Sequence, residues 1–217
     1  GIFGLHRADI ASVSGAILSC VVPPMQAIMS GAIAKLTGRP PMVVGPGIKT
    51  GLNIKAEIHN QLGSDIVASS VAAIARYPGS IVVIDMGTAT SMSLLKGSVY
   101  EGCIIMPGVH LALEALWSRA AALPPISVEA PAHQISLLGR TTEDAMRSGI
   151  LYGHASMVDG MIDRLALAAG GMPTVVATGG NAPSILPYCR HPITYNEYLV
   201  MDGLYLLYQK NAERHRK

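Results

Sequence analysis

Residues Ile81–Thr90 read IVVIDMGTAT, and their reading decides the fold class. Ser80–Asp85 is a short run of β-branched residues, which predicts a buried strand. The chain turns over Met86–Thr88, and Thr90–Lys96 returns as a second strand. A buried strand that delivers an Asp into a glycine turn suits phosphate. Gly87 lets the backbone come close to a ligand. Thr88 and Thr90 add hydroxyls beside the N–H groups of the turn, and Asp85 can hold a cation that screens the anionic oxygens. A β-hairpin with an Asp–Thr hydrogen bond fits the same residues.

Downstream, Gly97–Tyr100 closes a hairpin into Glu101–Met106, and Pro107-Gly108 ends that meander and starts helix Val109–Ala121. Pro124–Gln134 reads as loop. Thr141 and Asp144 have capping-box spacing, and the helix they open runs to Ala169, where Gly170-Gly171 stops it. Val175–Asn181 (VVATGGN) is a strand ending in two glycines that open a short helix, Asn181–Cys189. Such a turn lets backbone lie flat against a purine or ribose and aims helix N–H groups outward. It also serves an ordinary strand-to-helix connection. Tyr198–Ala212 is a final helix.

Upstream, Ala16–Val22 predicts a buried strand stopped by Pro23-Pro24. Met25–Leu36 predicts a helix, with Met25, Ile28, Met29, Ile33 and Leu36 at three-to-four spacing. Met42–Val44 is a short strand running into Gly45–Gly51 (GPGIKTG). Lys49 and Thr50 there suit a carboxylate or phosphate, although a solvated surface lysine fits as well and the glycine spacing is not that of a Walker A loop. Gly63-Ser64-Asp65 opens helix Ser64–Arg76. Asp65 either caps that helix or serves as the general base that takes a proton from a hydroxyl attacking a terminal phosphate.

Alternating short strands and longer helices give an α/β protein. The element order resembles one ribonuclease-H-like half preceded by an incomplete second copy, the duplicated architecture of the actin-like and sugar-kinase ATPase superfamily. We expect lobes at residues 1–78 and 79–217, with packing of the final helix on the first lobe left open.

Composition narrows the function. The chain has 217 residues, 50% of them hydrophobic, enough for a sizeable core. Net charge is +2, with no basic run beyond Arg214–Lys217 and one Trp and one Phe, which argues against nucleic acid. Cys20, Cys103 and Cys189 lack CxxC spacing, and their odd number and apolar neighbours read as buried free thiols in a reducing compartment. Scattered histidines argue against zinc. No apolar run has bilayer-spanning length and no leader opens the chain, so the expectation is a soluble, cytoplasmic protein that does not enter membranes.

Six segments in a fixed order carry a resemblance. They are GPGIKTG (Gly45–Gly51), GSDI (Gly63–Ile66), DMGTAT (Asp85–Thr90), EGCIIMPG (Glu101–Gly108), TTEDAMRSG (Thr141–Gly149) and TGG (Thr178–Gly180). From Ala16 onward the chain resembles the type III pantothenate kinases. The resemblance implies ATP-dependent phosphorylation of pantothenate to 4'-phosphopantothenate, the first step of coenzyme A biosynthesis. It also implies Mg2+ with the nucleotide, a monovalent cation (potassium or ammonium) and a homodimer. By position it makes Asp65 the proton acceptor. Gly63, Ser64, Asp65, Ile66 and Thr142 become substrate contacts, Asp85 the potassium ligand and Thr88 an ATP contact, while Gly87, Gly179 and Gly180 are candidate ATP contacts on the reading of the two glycine turns themselves.

Two departures stand out. The family's N-terminal DxGNT phosphate turn is expected just upstream of Gly1, since Gly1–Gly4 resembles the stretch on the C-terminal side of that turn. A further family segment is missing around Gly4-Leu5. Ile66 stands where the family has an Arg that would pair with the substrate carboxylate, which Ile cannot do. Lys49 and Arg147 are the candidates to replace it. The alternatives are a catalytically impaired relative acting as a ligand-sensing or regulatory module, and a kinase for another small hydroxy acid.

Overall fold

The computed structural model describes residues 9–54, 62–128 and 135–212. The expected strand end at Gly1–Gly4, the helix tail at Leu5-His6, the far end of the Pro124–Gln134 loop and the basic tail Arg214–Lys217 lie outside them. In chain order the elements are β1 (Ile17–Leu18), α1 (Pro23–Thr37), β2 (Met42–Val43), β3 (Asn53–Ile54), α2 (Ser64–Arg76), β4 (Ser80–Met86), β5 (Ala89–Lys96), β6 (Val99–Pro107), α3 (Val109–Arg119), α4 (Thr142–Ala169), β7 (Thr174–Thr178), α5 (Ala182–Ile185), β8 (Thr194–Tyr195) and α6 (Leu199–Ala212). The described residues fall into two compact units. One holds residues 9–52, 62–72 and 199–212; the other holds 53–54, 73–128 and 135–198.

The second unit is built on a six-stranded sheet of order β3-β6-β5-β4-β7-β8. Only β5 runs against the rest: β4 pairs antiparallel with β5, β5 antiparallel with β6, and β4 parallel with β7. The C-terminal tips of β4, β6 and β7 therefore share one edge. Ile81, Val82, Val83 and Ile84 are all at most 3% exposed, so the unbroken apolar run is a strand covered on both faces. Val82, Ile84 and Met86 pack with Val109 and Leu113 of α3 and with Ile150, Leu151, Ala155, Val158 and Ile162 of α4. Helix α4 begins where the capping spacing places it, with Thr141 Oγ1 accepting from Asp144 N at 3.1 Å. It ends at Gly170, left-handed at φ 80°.

In the first unit β1 and β2 form a two-stranded parallel sheet. The strand expected over Ala16–Val22 is thus only Ile17–Leu18, and Val21 and Val22 are exposed. Pro23 and Pro24 do more than stop it. They open α1, where fixed φ and a missing N–H cost nothing in the first turn. The periodicity that predicts α1 is correct for helix and wrong for burial, since none of its residues is buried. Gly203 of α6 lies against the Ala68 backbone of α2, a crossing a Cβ would obstruct. Among the described residues no helix is long and apolar enough to cross a membrane.

Candidate active site

Two glycine turns close on the tip of β4. In the β4–β7 register Asp85 stands beside Thr178, so both strands end together at the edge where open α/β sheets bind ligands. The Asp85–Thr88 turn is tied by Gly87 N donating to Ala89 O at 3.0 Å. Behind Thr178, Gly179 adopts φ 95°, and a Cβ there would stand 2.7 Å from Asp85 Oδ1 and from the Met86 backbone. Only glycine fits both the conformation and the space. Asn181 completes the joint: its N–H donates to Met86 O at 3.1 Å and its Nδ2 to Gly87 O at 2.9 Å. From the other side Gly108, which precedes α3, is pressed on the Gly87 and Thr88 carbonyls, and a Cβ would meet Gly87 O at 2.6 Å.

Asp85, Gly87, Thr88 and Gly179 are thereby brought together, with Gly180 adjacent. Asp85 is half-buried and Thr88 exposed. Thr90, offered by the sequence as a second hydroxyl, is 2% exposed and packs inward, because alternation along β5 turns it to the core. Among the described residues no group of three or more His, Cys, Asp or Glu side chains could cage a metal ion. Asp85 is a single carboxylate at a turn of peptide groups, a donor set that suits a weakly charged cation better than a divalent one held by protein alone.

In the first unit Gly63 and Ser64 lead into α2. Ser64 Oγ and Ser19 Oγ are 2.7 Å apart. Asp65 Oδ1 accepts from Ile66 N at 2.9 Å and leans over the Cα of Gly63. The capping and general-base readings of Asp65 are therefore compatible, since one oxygen serves the helix start and the carboxylate keeps a second. Ile66 is half-buried and brings no charge.

Thr142 is exposed in the first turn of α4 and lines an open depression of about 910 Å3 with residues 121–125. Arg147 on the same helix is engaged by Ser127 O at 3.3 Å, Glu143 at 3.3 Å and Asp144 at 3.5 Å. Sequence reasoning assigned no role to Asn181, although it comes directly after the two glycines. It also missed Asn211, whose grip on the Gly45–Gly51 loop depends on tertiary position alone. Asp159, in the middle of α4, carried no signal either. It is 1% exposed and accepts from Arg190 N at 2.9 Å and His191 N at 3.2 Å. Burial and then the Asp159 charge push the nearby Cys189 thiol up to about 12.

A family model described as type III pantothenate kinase matches residues 2–164. A protein named type III pantothenate kinase from Bacillus cytotoxicus is 40% identical over 210 residues, covering 96% of this chain and 78% of that protein. Among solved structures, a conserved Baf-family protein from Campylobacter jejuni aligns with a TM-score of 0.59 at 18% identity, over 94% of this chain and 87% of that one. MreB 5 of Spiroplasma citri bound to AMPPNP aligns with a TM-score of 0.51 at 10% identity, over 99% and 74%. At such identities the structural likeness speaks for the fold alone, an actin-like α/β fold.

Proposed function

The chain belongs to the type III pantothenate kinase family, so its reaction is ATP-dependent phosphorylation of pantothenate in coenzyme A biosynthesis, and from that premise we propose how its residues divide the transfer. Asp65 takes the proton of the pantothenate hydroxyl. As that oxygen bonds to the terminal phosphorus, the bond from phosphorus to the bridging oxygen breaks and ADP leaves with the electron pair. Gly63, Ser64, Ile66 and Thr142 bind the acceptor. Gly87, Thr88, Gly179 and Gly180 bind the nucleotide through turn N–H groups and the Thr88 hydroxyl. Asp85 would hold potassium or ammonium, which supplies charge neutralisation when bound. Mg2+ would come with the nucleotide phosphates.

The observation that carries this reading is the seating of the Gly179 turn on the Asp85–Gly87 turn, with Asn181 bonded to Met86 O and Gly87 O. It builds a rigid glycine-lined edge with exposed Thr88 where phosphate needs donors. The reading includes a cytoplasmic homodimer, expected to sediment at twice the chain mass. The test is ADP release by the full chain with ATP and pantothenate in potassium, ammonium or sodium buffer. Pantothenate-dependent turnover, faster in potassium or ammonium, is expected. No turnover in any of the three would sink the assignment.

A further inference from the structure

The loop Gly45–Gly51 is gripped at one residue. Asn211, near the end of α6, is 6% exposed. Its Oδ1 accepts from Lys49 N at 2.9 Å, and its Nδ2 donates to Lys49 O at 3.1 Å and to Leu207 O at 2.8 Å. The side-chain amide thus pairs with the main chain at Lys49 as a neighbouring strand would, while its third bond ties it to its own helix. One residue earlier, Lys210 Nζ donates to Thr50 O at 3.3 Å and fills the space a Cβ on Gly51 would take. Gly47 and Gly51 have φ of 93° and 82°, conformations that favour glycine. Thr50 Oγ1 closes the loop by accepting from Leu52 N at 3.0 Å.

A connector from β2 to β3 needs none of this. Burying an amide is favourable only when its groups are bonded, and here the bonds converge on the main chain of Lys49. Its side chain is exposed, and its ammonium forms no ion pair with a described residue. Fixing the backbone restricts where an exposed cation can reach, which is what a preorganised anion contact requires. Of the two cations that are candidates to supply the charge Ile66 lacks, Arg147 is already committed to Ser127 O, Glu143 and Asp144. Lys49 has no such commitment among the described residues.

We propose that Lys49 binds an anionic oxygen of one substrate, the acceptor carboxylate or a nucleotide phosphate, and that Asn211 is the positioning residue that aims it. The proposal rests on the kinase reading above. Its test uses the full chain as wild type, Lys49→Ala, Asn211→Ala, Asn211→Asp and the Lys49→Ala/Asn211→Ala double variant. Steady-state kinetics and calorimetric titration are run with pantothenate and with ATP. Lys49→Ala is expected to raise KM and Kd about 10–100-fold for one substrate, the loss of one charge-assisted contact, with the other substrate unaffected. A shift for pantothenate identifies the carboxylate, and a shift for ATP the phosphate. Asn211→Ala should shift the same substrate and add nothing in the Lys49→Ala background. Asn211→Asp, which keeps the acceptor and loses the donor, should fall between.

Unchanged constants in Lys49→Ala overturn the proposal. So does an Asn211→Ala effect of equal size with and without Lys49, which marks the amide as a fastener of the loop only. If Asn211→Ala does not fold, Lys49→Ala decides alone, because it alters only an exposed side chain. A wild-type chain that neither turns over nor binds either ligand fails the kinase reading itself and takes the proposal with it.

Discussion

Asp65 has two possible duties, and a single substitution separates them. Its Oδ1 accepts from Ile66 N, a bond an amide oxygen can also make. Asp65→Asn should therefore keep the helix start and the melting temperature while removing the proton acceptor. We expect kcat to fall about 10²–10⁴-fold. Undiminished turnover would leave Asp65 as a cap. Gly179 offers the complementary case on the nucleotide side. An added methyl meets Asp85 Oδ1 and the Met86 backbone at 2.7 Å in a left-handed conformation, so Gly179→Ala should destabilise the fold by about 1–3 kcal/mol and raise KM for ATP. Gly180→Ala meets nothing within 4 Å and should melt as wild type does. Equal melting temperatures for the two variants would mean that the two turns are not locked together.

Among the elements, those carrying a long pattern or a chemical stop were legible in the sequence. The β4–β6 meander was readable because apolar runs alternate with glycine turns, and α4 because Thr141 starts it and Gly170 ends it. Strands β3 and β8, two residues each, were not. They are held by partners distant in sequence, through Asn53 N to Ser98 O and Asn196 N to Ala177 O, each at 2.8 Å. The site was legible in the same measure. The glycine turns announce themselves by composition, whereas Asn181, Asn211 and Asp159 acquire their roles only when another segment is folded onto them. Asp159 shows how much such a residue can carry. It holds the Arg190–His191 corner on α4 through backbone N–H bonds, while its ion pair with Arg190 is 76% exposed on the arginine side. Hydrogen bonds to a buried carboxylate outweigh a solvated ion pair. Asp159→Ala should accordingly lower stability by about 1.5–3 kcal/mol, and Arg190→Ala by well under about 1 kcal/mol. Urea midpoints of the two variants measure the difference, and equal losses would transfer the role to the guanidinium.

For the whole molecule, stability against pH sums what each buried group contributes. Cys189 is pushed from an ordinary 9.0 up to about 12, first by burial and then by the Asp159 charge. Burial also raises the Tyr100 phenol, whose hydroxyl lies 3.1 Å from Ser93 Oγ. Each group is neutral below its ordinary value in folded and unfolded chains alike, so neither affects stability at neutral pH. As pH rises past 9, the unfolded chain ionises at Cys189 while the folded one holds its proton until about 12. The unfolded state then binds fewer protons and stability falls across that window. Wild type should lose denaturation midpoint between about pH 8 and about pH 11, and Cys189→Ala should lose less over the same interval. The three thiols are not buried as their apolar neighbours in the sequence suggest: Cys103 is exposed on β6, and Cys20 and Cys189 are half-buried, so they should differ in kind as well. Exposed Cys103 is expected to alkylate in the native protein at about pH 8, and Cys189 only once the chain unfolds. Prompt native alkylation at Cys189, or an alkaline decline that its removal leaves intact, would show that the Asp159 corner opens to solvent instead of sealing against the middle of α4.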